Sequence, residues 1–147
     1  MIDDLYNTDI LTLSASLRNE RLTAPMGTSR KVSKLCGSWV ELDVMLAEGR
    51  VSEVALRVQA CALGQASAAI LQDAIIGASL DEIISARDGL KAMLKERTPA
   101  PKGRFKKLSL LKSVADYPAR HVSTLLAFEA AVEAMTRASS DEGLFCR

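Results

Sequence analysis

Two neighbouring runs of alternating apolar and polar residues constrain the fold of this chain more than any other feature. Every second side chain is apolar in residues 39–46 and again in residues 51–60, and Glu48 and Gly49 lie between the two runs. A period of two is typical of strands that bury one face, and a short turn with glycine joins such strands into a hairpin. The sequence therefore predicts an antiparallel sheet with one solvated face, to which residues 31–35 add a third, weaker strand.

The other apolar patterns in the chain are helical, because side chains recur at intervals of three and four residues. This spacing predicts helices over residues 5–17, 62–76, 80–96, 108–115 and 119–138. Asn7 or Thr8 is expected to cap the first helix, and Ser79 to open a capping box before the third. Pro118 is expected in the first turn of the last helix, and residues 18–28 are expected to form a loop.

The order of these elements indicates the fold class. One helix, then strands, then a run of helices is a segregated order that is typical of α+β folds. We expect a small three-stranded antiparallel sheet with helices packed on one face. The chain has 147 residues, 48% of them hydrophobic, which is enough for one domain with its own core. This domain is expected to cover residues 1–138, and residues 139–147 are expected to form a flexible tail.

Charge and hydropathy argue against several classes of function. Lys and Arg number 19 and Asp and Glu 18, so the net charge of +1 gives no electrostatic basis for binding nucleic acid or an anionic membrane. No run of about 18 apolar residues is present, so no transmembrane helix is expected. The first residues are acidic and no apolar run follows them. No secretory signal is therefore expected, and the cytoplasm is the expected location.

Three widely spaced cysteines, Cys36, Cys61 and Cys146, are the candidate reactive groups. An odd number of cysteines in a chain without an export signal predicts reduced thiols. Pairing of the hairpin through its turn would place Cys36 opposite Cys61. Cys61 also begins a predicted helix, whose unpaired N–H groups favour a thiolate. The two thiols could then hold a soft metal ion or a persulfide, and two ordinary buried cysteines are the alternative.

A metal or cluster site needs more ligands than these two thiols. The remaining candidates lie in the last predicted helix and the tail: His121, Ser123 and Cys146. A lone histidine near a helix start is more often a surface residue than a ligand, and Cys146 lies in the segment expected to be flexible. A small α+β enzyme with a cysteine nucleophile would need His121 as its base, and nothing in the sequence places the two together.

Three segments carry recognisable motifs. Residues 35–38 (LCGS) resemble a strand-opening Cys-Gly-Asp, and residues 60–68 (ACALGQASA) resemble a cysteine that opens a helix of small residues. Residues 117–120 (YPAR) are similar to an aromatic-Pro-Ala-Arg run that leads to a third cysteine, and residues 98–116 resemble an insertion. Over about residues 5–136 the chain thus resembles the iron–sulfur cluster scaffold and sulfur-acceptor family, the IscU-, SufU- and NifU-like proteins, and most closely its SufU-like branch.

The resemblance implies a SufE/IscU-like fold and a role in iron–sulfur cluster assembly rather than an enzyme activity. Members accept sulfur from a cysteine desulfurase, and assemble a transient cluster or relay the sulfur to recipient proteins. SufU-like members hold zinc at a Cys, Asp, Cys, Cys site. Mapped onto this chain, the retained ligands are Cys36 and Cys61, the aspartate position is Ser38, and the third cysteine falls at Ser123. The resemblance makes Cys36 the persulfide acceptor, with Arg120 near the docked desulfurase.

The two serines leave two functions open. Because a serine hydroxyl is normally protonated, zinc or cluster binding is expected to weaken, whereas sulfur acceptance at Cys36 survives. His121 is displaced by about 200° on a helix from the expected ligand position, so it is a weaker candidate. The first function is a scaffold-like protein or sulfur acceptor that works with a cysteine desulfurase through Cys36 and Cys61. The alternative is a non-catalytic homologue that binds or regulates the desulfurase without holding a cluster.

Overall fold

The structure is an α+β fold built on a three-stranded antiparallel sheet, as predicted. This computed structural model describes residues 6–34 and 37–145, with side chains up to residue 140. The strands follow in the order β1 (Gly27–Val32), β2 (Trp39–Ala47) and β3 (Arg50–Gln59). The helices are α1 (Thr8–Ser16), α2 (Ala62–Ala74), α3 (Leu80–Glu96) and α4 (His121–Phe145), and a 3₁₀ segment (Gly103–Asp116) and a 3₁₀ turn (Pro118–Arg120) precede α4.

The helices pack on one face of the sheet. α4 lies against β1 and β2, where Val40 and Leu42 are almost completely buried. Gly27 allows this close approach, because a Cβ atom there would lie 2.0 Å from the carbonyl oxygen of Ala134. α2 packs against β3 and α4, α1 against α2, and α3 against α4. Within the described residues, none of these helices is both long and apolar enough to cross a membrane.

The hairpin of β2 and β3 has the predicted turn, but its register changes along the strands. Next to the turn, Leu46 pairs with Val51. The register then shifts between Met45 and Leu46, so that Trp39 faces Gln59 at the far end. A β-bulge adds one unpaired residue, and the alternating pattern alone does not reveal where it lies. The predicted register at the cysteine end of the hairpin is therefore off by one residue.

Three element boundaries also differ from the prediction. β1 covers Gly27–Val32 rather than residues 31–35, because pairing with β2 and packing under α4 extend a segment whose glycine favoured a loop. The last helix is longer than predicted, because α4 ends at Phe145 rather than near residue 138. The 3₁₀ segment replaces the helix predicted over residues 108–115, and it buries every third residue. The caps predicted for α1 and α3 are confirmed.

The outer face of the sheet carries a charged cluster that the chain before β1 partly covers. Arg57 donates hydrogen bonds to Asp43 at 2.9 and 3.0 Å and to Glu41 at 3.2 Å. Arg30 donates to Glu41 at 2.8 Å, and the backbone amide of Leu22 donates to Asp43 at 3.1 Å. Asp43 is only 5% exposed as a result. The outer face is thus less solvated than the alternation predicts.

The carboxyl group of Asp43 is held in its ionised form. Burial by itself raises the pKa of Asp43, but hydrogen bonds from Arg57, the Leu22 amide and the Thr28 hydroxyl outweigh it, and the pKa lies below its ordinary value of 3.8. Because the folded pKa is lower than the unfolded one, the ionised carboxylate stabilises the fold above the unfolded pKa. This contribution is lost as the pH falls through the folded pKa.

We expect Asp43→Asn to lower the free energy of unfolding by about 2 kcal/mol near neutral pH, because an amide oxygen accepts a weaker hydrogen bond from Arg57 than a carboxylate does. The difference from wild type should shrink as the pH falls from about 5 towards 2, where the wild-type carboxylate is protonated. Urea unfolding at a series of pH values measures both effects. The control is Glu53→Gln, which alters an exposed carboxyl group on β3. Equal effects of the two substitutions would contradict this role of Asp43.

Candidate thiol site

Cys61 lies between β3 and α2, at the helix start that the sequence predicts. It is the N-cap residue of α2, with an extended backbone at φ −66° and ψ 170°. Its carbonyl oxygen accepts the amide of Gln65 at 3.0 Å, while its side chain makes no capping hydrogen bond. This partly exposed residue therefore lies beside the positive end of the α2 dipole.

Ser123, in the first turns of α4, touches this thiol. The Sγ atom of Cys61 and the Oγ atom of Ser123 are 3.6 Å apart, and the serine also donates to the carbonyl oxygen of Arg120 at 3.2 Å. Two ligands of one tetrahedral zinc ion, at about 2.0 to 2.3 Å from the metal, would be about 3.3 to 3.8 Å apart. The structure thus brings Cys61 and Ser123 together at the separation of two ligands, although one of them is a hydroxyl.

Gly64 makes this contact possible. A Cβ atom at position 64 would lie 2.7 Å from the Cβ atom of Ala60 and 3.2 Å from the carbonyl oxygen of Ser123. The first turn of α2 can therefore approach the backbone of α4 only because this residue has no side chain. Gly64 belongs to the motif of small residues at positions 60–68, and a glycine inside a helical pattern is a recognised sign of close packing.

A surface cavity of about 290 Å³ joins the thiol to the chain before β2. Its lining consists of Gly37, Ser38, Gln59, Ala60, Cys61 and Arg120. Cys36 lies outside the described residues, but its neighbours Gly37 and Ser38 are within this lining. Ser38 is itself only 6% exposed. Arg120 is exposed and brings a positive charge to the cavity, which favours an anionic sulfur group.

His121 is not brought to this cavity. Its ring is 5% exposed, so the expectation of a surface histidine is wrong. The Nε2 atom lies 3.0 Å from the carbonyl oxygen of Val114, to which it donates, and the ring is therefore turned towards the 3₁₀ segment. The rotation that the sequence predicted between positions 121 and 123 is consistent with this orientation. His121 is therefore not among the residues that line the cavity around Cys61.

The residues placed around Cys61 do not form a zinc site by themselves. Across the described part of the chain, no group of three or more His, Cys, Asp or Glu residues could hold a metal ion. Around the cavity, Cys61 is joined by the hydroxyls of Ser38 and Ser123, and neutral hydroxyls are poor ligands for zinc or for the irons of a cluster. Cys146, like Cys36, lies outside the described residues. The described donor set fits thiol chemistry better than stable metal binding.

Solved structures share this whole architecture. A NifU-like protein (N-terminal) described as nitrogen-fixing, from Brucella abortus, superposes with a TM-score of 0.91 at 42% identity, covering 95% of this chain and 97% of that one. A chain from Fervidobacterium islandicum, assigned as an iron–sulfur cluster assembly scaffold for the SUF system, gives a TM-score of 0.82. At 19% identity, with 90% and 98% of the two chains covered, it shows the fold alone. The domain is thus of the NifU-like class.

Sequence comparisons give the family. The model of the NifU-like N terminal domain matches residues 6–124, and the chain belongs to this family. The iron–sulfur cluster assembly scaffold protein IscU of Streptococcus pyogenes is 30% identical over 110 residues, 74% of this chain and 69% of the relative. The protein of the same name from Thermotoga maritima is 28% identical over 104 residues, 71% of this chain and 72% of the relative. The predicted family is confirmed.

Restoring the two missing ligands should create a zinc site. We expect Ser38→Asp with Ser123→Cys to bind about one zinc ion per chain, because a carboxylate and a thiolate would replace two neutral hydroxyls beside Cys61. Wild type should bind substoichiometrically under the same conditions. Elemental analysis after dialysis against buffered zinc measures the difference.

The matched control for this prediction is Ser38→Asp with Ser109→Cys. It adds the same two groups but places the thiol on the exposed face of the 3₁₀ segment. Equal zinc in the two double variants, or none in either, would contradict the assignment of position 123 as a ligand position.

Proposed function

We propose that this chain acts in iron–sulfur cluster assembly as a scaffold-like protein that accepts sulfur from a cysteine desulfurase. Membership of the NifU-like N-terminal domain family and the IscU relatives support this role. The observation that carries the proposal is the shared cavity, in which Cys61 meets Gly37 and Ser38, the residues that follow Cys36. In the same proposal, the cytoplasm keeps these thiols reduced, and other proteins receive the sulfur or the cluster.

The sulfur-transfer step needs only thiol chemistry. The Cys36 thiol loses its proton to solvent, and the thiolate attacks the outer sulfur of a persulfide on the desulfurase. A sulfur–sulfur bond forms on Cys36 while the sulfur–sulfur bond on the desulfurase breaks. The desulfurase cysteine leaves as a thiolate and takes up a proton. Arg120 and the start of α2 stabilise negative charge on the sulfur atoms, since both present positive charge near Cys61.

In cluster assembly, iron and sulfide would be substrates that the chain binds and then passes on. Cys36 and Cys61 are the proposed ligands, and Ser38 and Ser123 supply hydroxyls where the family has a carboxylate and a thiolate. Two fewer negative charges reduce the attraction for iron, so a cluster held here would be bound weakly and released readily. The same two serines favour an alternative, a homologue that binds or regulates the desulfurase without holding a cluster.

The proposal is tested by mass spectrometry after anaerobic incubation with a cysteine desulfurase and cysteine. We expect intact wild type to gain the mass of at least one sulfur atom, and Cys36→Ser to gain none, because its hydroxyl cannot form a persulfide. Cys146→Ser is the control and should gain sulfur as wild type does. Sulfur on Cys36→Ser equal to that on wild type would show that Cys36 is not the acceptor.

The two functions are separated by the variant Cys36→Ser, Cys61→Ser. If the chain works through its thiols, this variant should fail to support iron–sulfur enzyme activity in cells that lack the wild-type chain. A variant that restores full activity would favour the regulatory alternative, since binding to a desulfurase through the surrounding surface does not require either thiol.

A further inference from the structure

The 3₁₀ segment presents a row of lysines at the end of α2 remote from Cys61. A 3₁₀ helix has three residues per turn, and the buried residues recur at this interval: Phe105, Leu108, Leu111 and Val114. Three exposed lysines fall between them, on the side of the segment that faces solvent, and Lys102 directly precedes the segment. We call the four exposed lysines the basic surface: Lys102, Lys106, Lys107 and Lys112.

These lysines differ from the arginines around them. Arg104 is bound to Glu82 and to three backbone carbonyls at the end of α2, and Arg97 is paired with Asp116 at 2.7 Å. Among the described residues, by contrast, the lysines of the basic surface have no carboxylate within ion-pair distance. The two arginines thus stabilise the fold through hydrogen bonds and ion pairs. The lysines of the basic surface make no ion pair within the described residues.

An apolar cavity lies directly beside the basic surface. It has a volume of about 250 Å³ and is lined by Ile70, Asp73, Ala74, Ile76, Arg104, Lys106 and Lys107. Ile76, which lines this cavity, is 49% exposed. Charge and exposed apolar surface therefore occur together at this place, as they do in protein interfaces.

We propose that the basic surface binds an acidic segment of a partner protein that also carries an apolar residue. The acidic side chains would contact Lys106, Lys107 and Lys112, and the apolar residue would enter the cavity beside Ile76. The spacing is suitable, because Lys106 and Lys112 are about 12 Å apart along a 3₁₀ helix. Residues four apart in an extended peptide are about 13 Å apart.

Nucleic acid and membranes fit this surface less well. The neighbouring aromatic side chain, Phe105, is 3% exposed and offers no platform on which a base could stack. The whole chain carries a net charge of only +1, so long-range attraction to a polyanion is weak.

The cavity beside Lys106 and Lys107 lies at the opposite end of α2 from the thiol. Cys61 directly precedes the first residue of α2, Ile76 lies two residues beyond its last, and a helix of 13 residues is about 20 Å long. A partner bound at the basic surface would leave the cavity around Cys61 open. A desulfurase and a second protein could therefore be held at the same time.

The proposal is tested by fluorescence anisotropy with a short fluorescein-labelled peptide in which Glu and Asp alternate with Leu. We expect wild type to bind this peptide with a dissociation constant in the micromolar range, and the affinity to fall several-fold when salt is raised from about 50 to 200 mM. Lys106→Glu with Lys107→Glu should weaken binding by about tenfold or more. Ile76→Ser, which changes no charge, should also weaken it.

The matched control is Lys91→Glu with Lys95→Glu, the same change of charge at two exposed positions of α3 outside this cavity. It should change the affinity by no more than about twofold. No binding to wild type, or equal loss in the two double variants, would overturn the proposal. Tighter binding of a single-stranded oligonucleotide or of phosphatidylserine vesicles would also overturn it. None of these readouts uses Cys36 or a desulfurase, so the result stands apart from the proposed sulfur transfer.

Discussion

The close approach of α4 to both the sheet and α2 is the constraint on which the rest of the structure depends. Gly27 lies against the backbone of α4 at Ala134, and Gly64 lies against it at Ser123. Protein interiors are close-packed, so an added methyl group at Gly27 would clash with the backbone of α4, and one at Gly64 would clash with Ala60 and press on the carbonyl oxygen of Ser123. The contact that closes the core therefore also sets the distance between Cys61 and Ser123. The chemistry of the thiol site follows from backbone packing.

The elements that the sequence predicts best are those determined by nearby residues. The turn at Glu48 and Gly49, the cap of α1 at Asn7 and the capping box at Ser79 each depend on a few adjacent side chains. The bulge between Met45 and Leu46 does not. It depends on how two strands pair over their full length, and β1 likewise depends on pairing and on α4. These features belong to tertiary structure and leave little signal in the local pattern.

The candidate site divides in the same way. The placement of Cys61 at a helix start is local, and the sequence predicts it. The approach of Ser123 and the turn of His121 towards Val114 depend on how α4 is set against α2 and the 3₁₀ segment. The basic surface escapes the sequence analysis for a different reason. A net charge sums over the whole chain. The structure shows, in addition, which arginines are paired with carboxylates and that the lysines of the basic surface are not.

The oxygen atom of Ser123 has a consequence for redox chemistry. A cysteine at this position would place a second sulfur atom against Cys61, and two such sulfurs can be joined by mild oxidants once they come into contact. A hydroxyl cannot form this bond. A sulfenic acid formed on Cys61 therefore cannot be resolved by position 123, and it reacts with a thiol from elsewhere or is oxidised further to a sulfinic acid. Ser123 therefore has two effects. It takes the place of a metal ligand, and it prevents a disulfide bond between Cys61 and position 123.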